Sequence, residues 1–97
     1  MRLEAVILPD LGTRPGAPIV VSHWFAVPGD AVWEGDRLVE VLVGPAAFDV
    51  PCPVSGRLAE IRGFEDDAVA PGFVLGLIDA DDDIDSQSRG DAGATDR

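Results

Sequence analysis

Short β-branched runs and period-two alternation of apolar and polar residues dominate the chain, as in VEVLV, FDV, IVVSHWF and RLAEI. That spacing sends neighbouring side chains to opposite faces and predicts strands that bury one face. Eleven glycines and eight prolines punctuate the sequence, and no helical periodicity persists over a window of about ten residues. The expected class is all-β. The stretch VEVLVGPAAFDVPCPVSG, Val39 to Gly56, holds two alternating segments around Gly44-Pro45 and predicts a hairpin with Pro45 at its tip. There the fixed φ of proline suits position i+1 of a type I or II turn.

The pattern also repeats. DAVWEGDRLVEV, Asp30 to Val41, aligns with DAVAPGFVLGLI, Asp67 to Ile78, at a spacing of 37, matching Asp30 with Asp67, Val32 with Val69, Gly35 with Gly72 and Leu38 with Leu75. Each copy reads as a short strand, a tight turn at Gly35 or Gly72, and a longer strand. Neither half is large enough to fold alone, so the two must bury their apolar faces against each other. A small two-sheet sandwich with approximate twofold symmetry is expected.

Composition sets the limits of this domain. Ninety-seven residues at 46% hydrophobic content fit one small core. From Asp79 the sequence becomes DADDDIDSQSRGDAGATDR, with Ile84 its one large aliphatic residue. Such a segment cannot bury enough apolar area to offset its ordering entropy, so residues 1–79 are expected to fold and 80–97 to form a disordered acidic tail. Asp79-x-Asp81-x-Asp83 has the opening spacing of a calcium loop, but Ile84 stands where that loop needs glycine and Gly90 where it needs glutamate. Glu4 and Pro9-Asp10 interrupt the apolar N-terminal run, which excludes a secretory signal pattern and leads to the expectation of a cytoplasmic protein.

A net charge of −11 disfavours nucleic acid and anionic membranes as partners. All seven basic residues are arginine, so no side chain carries a primary amine. Compositional drift toward arginine and alanine would give the same result. Cys52 is the single cysteine and His23 the single histidine. Neither has companions at metal-ligand or nucleophilic-triad spacing. Cys52 reads as reachable but unactivated, and Trp24 and Trp33 as packing residues. The aspartates at Asp30, Asp36, Asp66 and Asp67 read as turn residues whose carboxylates bond local amides. No catalytic residue, metal site or cofactor site is expected from these patterns.

Taken together, ILPDLG, IVVSHWFAVPGDAVWEGDRLVEV, VPCPVSGRLAEI and AVAPGFVLGLI resemble the lipoyl domain of 2-oxo acid dehydrogenase complexes, within the biotinyl/lipoyl carrier family. The resemblance implies a flattened barrel of two four-stranded antiparallel sheets with quasi-twofold symmetry, and a cofactor lysine at the hairpin between its halves. Where lipoyl domains read E-T-D-K-A, this sequence has Leu42, Val43, Gly44, Pro45 and Ala46, with Pro45 at the lysine position. Lipoate and biotin are joined as amides, which a saturated proline ring cannot form. The resemblance therefore implies a lipoyl-like module without cofactor and without enzymatic activity.

Two readings of its hairpin tip remain open. LVGPAAF is uncharged, and Leu42 and Phe48 are either an exposed apolar pair at a docking tip or side chains folded against the sheet edge. The expected partner-binding residues are Leu42, Val43, Gly44, Pro45, Ala46 and Phe48, and the expected partner is a protein, with 2-oxo acid dehydrogenase components first among candidates. A carrier or accessory subunit of a 2-oxo acid dehydrogenase-type complex and a cofactor-free adaptor of a transport or secretion system are the alternatives.

Overall fold

A computed structural model describes residues 2–81 and contains eight strands and no helix. No helix among these residues could therefore cross a membrane. The chain runs through β1 (Leu3–Ile7), β2 (Ile19–Trp24), β3 (Ala31–Val32), β4 (Arg37–Val43), β5 (Ala46–Pro51), β6 (Gly56–Ile61), β7 (Ala68–Val69) and β8 (Val74–Ala80). They form two four-stranded sheets, ordered β1-β8-β6-β3 and β5-β4-β2-β7. Every pairing is antiparallel. The all-β class and the two-sheet architecture are as the sequence implies.

Alternation, reset where the β1–β8 ladder skips Leu75, decides which side chains enter the space between the sheets. Val6 and Leu8, Val21, Val39 and Val41, Leu58, and Leu75 and Ile78 are all essentially inaccessible. Full burial of each such side chain contributes about 1.5–3 kcal/mol. Trp24 closes this core: its indole N–H donates to the Gly63 carbonyl at 2.7 Å, and its ring lies where a Cβ on Gly76 would sit, at 3.0 Å. That contact ties β2 in the first half to the second half of the chain.

The internal repeat is a true structural repeat, traceable bond by bond. The Asp36 amide donates to Trp33 O at 3.1 Å and the Phe73 amide to Ala70 O at 3.0 Å, across turns whose glycines have φ of 91° (Gly35) and 93° (Gly72). An Asp30 carboxylate accepts from the Val27 amide at 3.0 Å, and Asp67 accepts from Phe64 at 2.9 Å. These are the local amide bonds expected of turn aspartates. Asp66 stands where the first copy has Gly29 and adopts φ of 74°, a left-handed conformation that aspartate tolerates better than most residues. Strand β8 extends to Ala80, whose amide donates to Arg2 O at 2.8 Å. The expected tail lies otherwise almost wholly outside the described residues.

Candidate functional site

The β4–β5 hairpin reaches its tip through a two-residue loop, since Val43 pairs with Ala46 across Gly44 and Pro45. Gly44 has φ of 59°, and the proline ring holds φ near −65°. A positive φ followed by a negative one is the sign pattern of a type II′ turn. Pro45 therefore sits at position i+2, which corrects the expectation of i+1 in a type I or II turn. The reason is strand twist: primed turns match the right-handed twist of a tight hairpin, whereas types I and II splay it. Glycine leads because it alone takes the positive φ without strain. Proline follows at no cost in ladder bonds, because the loop closes through the amide of Ala46 rather than its own.

Gly44, Pro45, Ala46 and Ala47 are exposed, while Leu42, Val43 and Phe48 are half-buried. Leu42 and Phe48 do not form an exposed pair. Register separates them: Phe48 lies opposite Val41 on the inner face and packs with Val43 onto the core, whereas Leu42 lies opposite Ala47 on the outer face. Leu42 also neighbours Val20, and Val20 neighbours Ala68. An apolar row thus crosses the outer face of the sheet just behind the tip. The next row is charged, with Glu40 paired to Asp49 on one side and His23 on the other. Arg14, from the loop before β2, lines an open groove of ≈ 290 Å³ beside the tip together with Thr13, Val43 and Gly44.

The other candidate groups are dispersed. Cys52 is only 2% exposed, and its thiol donates to the Val54 carbonyl at 3.0 Å. It is not the reachable thiol that the sequence suggests. Its amide donates to Asp36 O as the Leu8 amide donates to Phe73 O, so Cys52 fills the core position that Leu8 fills in the other half. Burial raises its pKa, and the Asp36 and Glu34 carboxylates push the same way. His23 meets Glu65 at 3.3 Å, with both side chains mostly exposed. No group of three or more His, Cys, Asp or Glu among the described residues is arranged to hold a metal.

Trp33 departs from expectation. Trp24 is packed, but Trp33 is 61% exposed, and Val27 and Phe64 are exposed to a similar degree. The signal for Val27 and Phe25 was present in the alternation, since His23, Phe25 and Val27 occupy the face opposite Trp24 and Ala26.

The biotin/lipoyl family model, described as "Biotin-requiring enzyme", matches residues 4–78. The dihydrolipoyllysine-residue acetyltransferase component of the pyruvate dehydrogenase complex from Staphylococcus aureus is 36% identical over 86% of this chain. Its counterpart from Staphylococcus epidermidis is 35% identical over the same share. The chain spans 19% of the length of either relative. The solution structure of the lipoyl domain of the 2-oxoglutarate dehydrogenase complex from Azotobacter vinelandii superimposes with a TM-score of 0.61 at 26% identity, covering 79% of this chain and all of that domain.

Proposed function

The chain belongs to the biotin/lipoyl domain family, and from that premise we propose that it is a module that carries neither lipoate nor biotin and acts by binding proteins through its β4–β5 tip. One observation carries the reading: the two tip residues are Gly44 and Pro45, in a sequence with no lysine. Lipoyl and biotinyl transfer forms an amide with a side-chain amine, and neither tip residue has a nucleophilic side chain. The tip therefore does not fit the group its family carries. It fits contact instead, with a rigid turn, four exposed small residues and an apolar row behind them. In this reading the tip performs no chemistry of its own: among the described residues, Gly44 to Ala47 carry no titratable side chain.

Relatives named as acetyltransferase components of pyruvate dehydrogenase complexes make components of a 2-oxo acid dehydrogenase complex the partners to test. A tagged chain is used for affinity capture from extract of its own cells, beside an Ala46→Glu variant. Ala46 is exposed, so the variant alters the tip without opening the core. Dehydrogenase components retained by the wild type and lost by Ala46→Glu support the docking role. Identical protein sets from both would overturn it.

A further inference from the structure

Four of the large apolar side chains exposed in the described residues, Phe25, Val27, Trp33 and Phe64, fall on one flank away from the tip. Phe25 and Trp33 line one depression, Val27 and Phe64 line a second of ≈ 490 Å³, and Ala26 belongs to both. His23 joins them further, with its ring edge-on to Phe25 at 4.9 Å while it lines the second depression. The surface is therefore one continuous belt. Exposed apolar area of this kind, rich in aromatics, marks protein-interaction sites.

Carboxylates border the belt. Asp30 and Asp36 stand in the wall shared with Trp33, and Glu65 in the wall shared with Phe64. The one arginine in those walls, Arg37, already lies over the Phe25 ring at 4.2 Å from its centroid. A guanidinium over an aromatic ring beside carboxylates is thus an arrangement this surface adopts internally, and Trp33 offers a second ring of the kind that attracts cations most strongly. A second copy of the chain fits poorly, since both would bring a net charge of −11.

We propose that the Phe25–Val27–Trp33–Phe64 belt docks an arginine- or lysine-bearing, partly apolar segment of a partner protein. Arg37 begins β4 and Val43 ends it, which separates the belt from the tip by about 20 Å of strand. The two surfaces can be occupied together, and the belt does not depend on the tip reading.

The test is a titration of the isotope-labelled full chain, followed by NMR, with a synthetic peptide of interspersed arginine and leucine and with its glutamate-for-arginine counterpart. The arginine peptide is expected to shift the Trp33 indole N–H and the amides of Val27 and Phe64 while leaving Gly44 and Ala46 unmoved. Trp33→Ser, at an exposed position, is expected to weaken it roughly tenfold or more. Shifts confined to residues 82–97 or spread evenly over the acidic surface would overturn the proposal, as would equal response to the glutamate peptide or unchanged affinity in Trp33→Ser. Concentration-dependent self-association of the wild type that Trp33→Ser abolishes would also overturn it, by giving the belt to a second copy.

Discussion

Raising the pH should destabilise this protein through one proton. The sequence contains no tyrosine, no lysine and a single cysteine, so Cys52 is the one side chain that changes charge between about pH 8 and about pH 11. Burial holds its folded pKa above the ordinary thiol value, with Asp36 and Glu34 acting in the same direction. The folded state therefore keeps the proton at pH values where the unfolded chain has lost it. Stability is at its full value below the unfolded thiol's pKa of about 8.5 and falls as pH rises toward the folded value, by at most about 1.4 kcal/mol per pH unit. Urea unfolding measured at steps across that range gives the slope directly. Cys52→Ala should cost about 1 kcal/mol near neutral pH, from the packing its sulfur provides in the core it shares with Leu38 and Val32, and should then show a flat profile. Parallel profiles for the two proteins, or a wild type whose stability does not change with pH across this range, would show that Cys52 is not the titrating group.

Two further substitutions check the packing. Trp24→Phe removes the donor to the buried Gly63 carbonyl and part of an indole that is 8% exposed, and should cost about 2–4 kcal/mol in a thermal or urea melt; Trp33→Phe, at an exposed ring, should stay within about 0.5 kcal/mol. Phe48→Asp puts a charge where a phenyl ring packs on the core and should cost about 2–3 kcal/mol, whereas Ala47→Asp, one residue away on the outer face, should cost less than about 0.5 kcal/mol by the same melt.

Much of the architecture was legible because the period-two pattern and the 37-residue spacing both survive in the sequence. Asp30 with Asp67 and Gly35 with Gly72 are paired by sequence and again by matching hydrogen bonds. The place of the tip was legible, but not its turn type. A Gly-Pro dipeptide fits several turns, and only the pairing of Val43 with Ala46 selects the one whose first residue needs positive φ. Exposure was the least legible property. Leu42 and Phe48 lie on opposite faces because a two-residue loop pairs Val43 with Ala46, and the alternation within each strand does not by itself fix the loop length. Cys52 looked reachable between two prolines because nothing local indicates that it takes the place of Leu8 across the twofold axis. Trp33 read as packing from its residue type, yet both it and its counterpart in the other copy, Ala70, are exposed.

If the Gly44-Pro45 tip offers nothing to acylate, the protein should never gain a lipoyl or biotinyl group. The most direct test is the intact mass of the protein purified from its own cells, before and after incubation with lipoate and biotin ligases and their substrates. The mass of the unmodified polypeptide is predicted in every case. A lipoyl or biotinyl increment on any residue would show that the fold still carries its family's group.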